Sequence, residues 1–163
     1  MAGLLAGALL TVSAQAAPLF SWGGSDYFLT DALPWNAAEA EAVILGGHLA
    51  TINSAEEQMA IADALGDGEW RWIGLNDATE EGNWAWASGE AVTYTNWAPG
   101  EPNQSGGQED HVNIFSDGTW NDFSGSSRLQ GVVEVKQEVP EPGSLALAGL
   151  ALAGLAEGRR RKS

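Results

Sequence analysis

Between Trp97 and Asn113 the chain reads WAPGEPNQSGGQEDHVN, and Trp120–Asp122 reads WND. Within these stretches Glu101, Asn103, Glu109, Asn121 and Asp122 offer three carboxylates and two side-chain amides, and the Asp122 backbone carbonyl adds a further oxygen. No lysine or arginine lies among them. Carboxylates that share a site repel one another, so a divalent cation is their natural partner. Calcium suits an all-oxygen set, because it takes about six to eight hard oxygen ligands. Pro102 stiffens the link between Glu101 and Asn103. The D-x-D-x-D-G run of an EF-hand loop is missing. Asp117-Gly118 reads instead as a turn into a strand that delivers Asn121 and Asp122.

The composition agrees with a cation and argues against a polyanion. The net charge is −15, and four of the seven basic residues sit together at Arg159–Lys162, leaving Arg71, Arg128 and Lys136 for the centre. So acidic a centre cannot neutralise phosphates, which excludes nucleic acid as a partner. The absence of cysteine excludes disulfides, thiol catalysis and thiolate zinc sites. Stability must then come from metal or from a core, which 44% hydrophobic residues and eight tryptophans can build. His48 and His111, far apart and without cysteine partners, make a poor transition-metal pair. A glycosidase needs one of two carboxyls kept protonated, whereas carboxylates on calcium are held ionised. A binding protein rather than an enzyme is expected.

The elements that position these residues begin with two helices. Asn36-Ala-Ala-Glu39 and Ser54-Ala-Glu-Glu57 have capping-box form. The first leads into Ala40, Val43 and Ile44 and stops at Gly46-Gly47; the second leads into Met59, Ala62 and Leu65 and stops at Gly66. The period then changes. Trp70–Leu75 reads as a buried strand, Trp84–Trp86 and Val112–Phe115 alternate, and Leu129–Val135 is a final β-branched strand. Trp72, Trp84, Trp86, Trp97 and Trp120 read as core rather than as sugar-stacking platforms. Asp63, Asp67 and Glu69 read as a solvated surface. Helices first and short strands later predict an α+β domain over residues 18–138, with a long irregular stretch from Trp86 to His111 of the kind that carries function or is held by something.

Both ends read as processing segments. Residues 1–16 are an apolar run closed by Ala14-Gln15-Ala16, the form of a signal peptide and its cleavage site. No positive residue precedes the run, so the start codon is expected further upstream. From Val139 the chain runs VPEPG, then an apolar segment over residues 144–156 that is shorter than the roughly 20 residues a bilayer-spanning helix needs, then RRRK. That order resembles the PEP-CTERM sorting signal. The resemblance implies an exported protein of a Gram-negative bacterium, transient membrane anchoring through residues 144–156, and removal of the 139–163 tail by an exosortase-type enzyme.

WIGL (Trp72–Leu75), EPN (Glu101–Asn103), ED (Glu109-Asp110) and WND (Trp120–Asp122), with GGHLATI upstream, occur in order, and in this the chain resembles the C-type lectin domain from Tyr27 to Val135. The resemblance implies a C-type lectin-like fold: two helices, two small antiparallel sheets, a long calcium-binding loop and a cis peptide before Pro102. It implies that Glu101, Asn103, Glu109, Asn121 and Asp122 form the primary calcium site. Glu101, Asn103, Glu109 and Asn121 would also hydrogen-bond two vicinal sugar hydroxyls, with the mannose, glucose, N-acetylglucosamine or fucose preference that goes with EPN. The partner would be a glycan or exopolysaccharide at the cell surface or in the matrix. A second calcium is implied at Asp77, Glu81 and Asp110 with the Glu109 carbonyl, weakened because Gln104 stands where the family has an acidic residue. The positions of the family's two disulfides fall on Ala42 with Val133 and on His111 with Gly125, both members of each pair being replaced. The fold also hosts non-sugar interaction modules, which is the competing expectation.

Overall fold

The computed structural model describes residues 17–66 and 68–137. The expected signal peptide and sorting tail, and Asp67, lie outside the described residues. The chain order is β1 (Phe20–Trp22), β2 (Ser25–Leu29), α1 (Trp35–Ile44), β3 (His48–Leu49), α2 (Ala55–Leu65), β4 (Arg71–Asn76), β5 (Ala85–Trp86), β6 (His111–Ile114), β7 (Trp120–Phe123) and β8 (Gln130–Lys136). The α+β layout expected from the sequence is the one observed. One antiparallel group is β1-β2-β8 with β3 on β8, and the other is β4-β6-β7 with β5 on β4. A short parallel ladder, Arg71↔Gln130 and Trp72↔Gly131, joins them. The β1–β2 hairpin and β3 were not foreseen. Their runs are short, and β2 and β3 find their partner in β8, more than 80 residues away.

Five tryptophans do what their spacing suggested, whereas Trp70, expected to open the buried strand, is exposed and precedes β4. Trp72 and Trp120 are fully buried and Trp86 is 3% exposed, while Trp84 and Trp97 pack partly buried against the same core. Two clusters result. One joins Tyr27, Ile52, Ile61, Ile73, Leu75, Val112, Ile114, Trp120 and Val132; the other joins Phe28, Trp35, Ala38, Ala42, Leu49, Trp72 and Val133. Ala42 and Val133, the first vacated disulfide pair, thus meet inside one apolar cluster.

Helix α1 turns a different face inward from the one expected, and α2 departs from expectation at Met59 while Leu65 packs against the core. In α1 the buried residues are Trp35, Ala38 and Ala42, whereas Ala40, Val43 and Ile44 face solvent. Small side chains let the helix lie close on the sheet; Trp35 then donates its Nε1 proton to the Ile73 carbonyl at 2.9 Å. The expected capping box is also absent. Pro34 is the N-cap and makes no side-chain cap bond. Glu39 instead reaches β3, accepting from Leu49 N at 2.9 Å and lying 2.6 Å from His48 Nδ1.

In α2 the Ser54 cap is real, its hydroxyl accepting from Glu57 N at 3.2 Å. Met59, however, is exposed, and the inward face is Glu57, Gln58 and Ile61. Those polar residues are buried because they satisfy buried donors. Glu57 accepts from Tyr27 Oη at 2.7 Å and Asn53 N at 2.9 Å, and Gln58 Oε1 from Trp120 Nε1 at 2.5 Å. Burial holds the Glu57 carboxyl above the ordinary carboxylate range, more than its hydrogen bonds lower it. A carboxyl with a raised folded pKa contributes stability below its unfolded value and loses it as pH rises through the folded value. The stability gap between the wild type and Glu57→Gln is therefore expected to shrink as pH rises from about 4.5 towards neutrality. Urea denaturation across that range measures it, and a constant gap would contradict the assignment.

Candidate functional site

The irregular stretch from Ala87 to Asp110 is tied to the sheet at both ends. Ala98 N donates to Trp120 O and Trp120 N to Asn96 O, each at 2.8 Å, so the loop runs beside β7 before it folds over. Asn96, not singled out in the sequence, braces this junction by donating from Nδ2 to Gly118 O at 2.8 Å, in the turn that leads into β7. The peptide between Glu101 and Pro102 is cis.

Glu101, Asn103 and Asp122 come together. Asn103 N donates to Asp122 Oδ1 at 2.9 Å, and the Asn103 amide nitrogen donates to Glu101 Oε2. Asn121 lies alongside, its Nδ2 donating to the Asp122 carbonyl at 2.6 Å. Asp122 is 1% exposed. Burial first, and then the adjoining Glu101 carboxylate, push its carboxyl up to about 6. A buried acid facing a second acid, with only neutral amides around them, is an arrangement that a cation would relieve. Three of the five residues expected at the primary site, Glu101, Asn103 and Asp122, are therefore contiguous, and Asn121 is the chain neighbour of Asp122.

Glu109 stands apart from that knot. It is buried, its carboxylate lying against Gly106 so closely that a side chain at Gly106 would collide with it. Its backbone N–H donates to Gln104 Oε1 at 3.0 Å. Among the described residues, the three-carboxylate group whose oxygens approach within 4.8 Å of one another is Asp77, Glu81 and Asp110. Glu101, Glu109 and Asp122 do not form such a group.

The residues of the expected second ion do meet. Asp77, at the end of β4, is 3% exposed; it accepts from Gly82 N at 2.8 Å through Oδ2, while Oδ1 is buried without a partner. Its backbone N–H donates to Asp110 O at 3.0 Å, which locks the two loops. Asp110 Oδ2 accepts from Gln108 Nε2 at 2.8 Å, and both Glu81 oxygens accept from Gln104 Nε2 at 3.0 and 3.1 Å. The orphaned Asp77 oxygen and the all-oxygen donor sets fit a hard cation such as calcium.

The second vacated disulfide pair is filled by packing. His111 opens β6, its ring 4.6 Å from that of Trp35 and its Nδ1 occupying the space a side chain at Gly125 would need. Burial holds its pKa below the ordinary histidine value. Asn113, opposite Asn121 in the β6–β7 ladder, is fully buried with neither amide atom partnered. A lone asparagine in an otherwise apolar strand was the available signal for it.

The family model of the lectin C-type domain matches residues 31–132, and that of the PEP-CTERM protein-sorting motif matches residues 138–162. Ladderlectin of Oncorhynchus mykiss is 36% identical over 119 residues, 69% of this chain and 63% of ladderlectin. The match thus spans less than two thirds of that relative's length. The mouse scavenger receptor C-type lectin carbohydrate-recognition domain superposes with a TM-score of 0.69 at 30% identity, over 74% of this chain and 94% of that one. The cow C-type carbohydrate-recognition domain of CD23, crystallised in the presence of a GlcNAc2Man3 oligosaccharide, gives 0.67 at 32% identity, over 72% and 92%. With its motifs in register, its fold shared and the family model covering residues 31–132, the chain belongs to the C-type lectin domain family.

Proposed function

We propose that the domain binds carbohydrate through a calcium ion held by Glu101, Asn103, Glu109, Asn121 and Asp122. The observation that supports this most is the contact of Asn103 N with Asp122 Oδ1, which brings the Glu-Pro-Asn loop onto the Trp-Asn-Asp strand. Bound there, calcium supplies a Lewis-acidic centre to which two vicinal hydroxyls can add as ligands. The protein's part is directional: carboxylates of Glu101 and Glu109 accept from those hydroxyls, and amides of Asn103 and Asn121 donate to them. That order of acceptor and donor favours mannose, glucose, N-acetylglucosamine or fucose. Asp77, Glu81 and Asp110 form a weaker cation site. A single sugar offers little surface, so affinity per site is low and avidity matters. The sorting motif supports a place for such a module on the exterior of its cell, where exopolysaccharide would be its ligand.

Retention on mannose-agarose in calcium and release by EDTA tests the reading. The wild type is expected to be retained and released. Calcium binding without retention, and without any glycan bound on an array, would leave a calcium-ordered interaction module of the same fold instead.

A further inference from the structure

Gln104 uses both polar ends of its side chain. Its Nε2 donates to both oxygens of Glu81, and its Oε1 accepts the backbone N–H of Glu109. Its own carbonyl closes a turn by accepting from Gly107 N at 3.2 Å. The side chain thereby joins the loop after β4 to the residue that precedes Asp110 and β6.

The charges around it explain why an amide is needed. Asp77, Glu81 and Asp110 crowd within 4.8 Å, and no ion pair among the described residues reaches them: Arg71 pairs with Glu69, Lys136 with Glu90, and His48 with Glu39. Neutral donors do the work instead. Gly82 N serves Asp77, Gln108 Nε2 serves Asp110 and Gln104 Nε2 serves Glu81. Of these, Gln104 alone also grips a backbone group of the calcium loop. An amide carries a donor and an acceptor on one planar head and no charge at any pH. A glutamate of the same shape would keep the bond to Glu109 N, lose the donor to Glu81 and add a fourth negative charge.

We propose that Gln104 is an internal substitute for a cation: an amide clamp that ties the calcium loop to the loop after β4 before any ion arrives. A second ion at Asp77, Glu81 and Asp110 must then displace the clamp from Glu81, and one calcium suffices to complete the site. This is a positioning role, and it rests on the calcium reading above.

Amide hydrogen exchange in EGTA, without calcium, tests the clamp by itself. Glu109 N–H is expected to exchange roughly threefold to tenfold faster in Gln104→Ala than in the wild type, the worth of one hydrogen bond. The amides of Ile73 and Val132, deep in the core, should be unaltered, which shows that the variant is folded. In Gln104→Glu, where repulsion from Glu81 opposes the bond that is kept to Glu109 N, that amide should exchange faster than in the wild type in EGTA and recover in calcium. Calorimetric titration is expected to show one tight calcium in the wild type, the same stoichiometry with severalfold weaker affinity in Gln104→Ala, and a second ion in Gln104→Glu. Equal exchange of Glu109 N–H in wild type and Gln104→Ala overturns the clamp, as does equal calcium affinity. Failure of every form to bind calcium overturns the functional reading instead, while the exchange rates still decide the clamp.

Discussion

Calcium added to the calcium-free protein is expected to raise its melting temperature by roughly 10 °C at a free concentration 100 times the dissociation constant, where binding adds about 2.7 kcal/mol. Tryptophan fluorescence should change with it, because Trp97 bridges to Trp120 at the foot of the loop and lies 4.8 Å, ring to ring, from Trp84. The gain has a structural cause. Asp122 is buried against Glu101, and an ion removes the repulsion that the neutral amides leave in place. Glu109→Ala and Asn121→Ala should each abolish both responses. The first deletes the carboxylate packed on Gly106, the second the amide beside the Asp122 carbonyl. Each is to be compared with its own melting temperature in EGTA, which separates loss of the ion from loss of packing. Undiminished calcium affinity in either variant would remove that residue from the site.

The other large effect concerns the frame. Gly74→Ala is expected to cost about 3 kcal/mol or more, lowering the melting temperature by roughly 10 °C or preventing folding. A methyl at position 74 would collide with the Leu49 carbonyl and crowd that of Ala50, and Gly74 N already donates to Ala50 O at 2.9 Å. The obstacle is backbone on backbone, so no rotamer change relieves it. The glycine of the WIGL motif therefore lets the segment at Leu49 and Ala50 lie against β4, and β4 leads directly into Asp77. Thermal melts in EGTA measure the cost independently of calcium. A variant that melts within a degree or two of the wild type would show that β4 and the Leu49–Ala50 segment can part without penalty.

The two helices show where the sequence pattern misled. Bulky residues at helical spacing pointed to Val43 and Ile44 in α1 and to Met59 in α2, and all three are exposed. What the fold buries is Ala38 and Ala42, which allow close approach, and Glu57 and Gln58, which satisfy Tyr27 and Trp120. Periodicity reports a stripe of large apolar groups. It does not report that a small residue wins where helix and sheet lie close, or that a polar one wins where a buried hydroxyl or indole needs an acceptor. The strands from Arg71 onward were easier to see, because a continuous apolar run marks β4 and buried tryptophans mark β5 and β7.

By itself the sequence determined the oxygen donors, their order, the lack of cations to pair with them and the replacement of every cysteine, since these are matters of residue type and spacing. Only the tertiary structure decided which donors meet. Asn103 lies on Asp122 because Ala98 and Asn96 pin the loop along β7, and Asp77, Glu81 and Asp110 converge because the end of β4 and the start of β6 are hydrogen-bonded neighbours. Gln104 looked from its type like a defect in an acidic site; its two bonds, to Glu81 and to Glu109 N, join segments 23 and 5 residues away in the chain. Contacts at such separations depend on how the strands pair, which no local pattern of residues encodes.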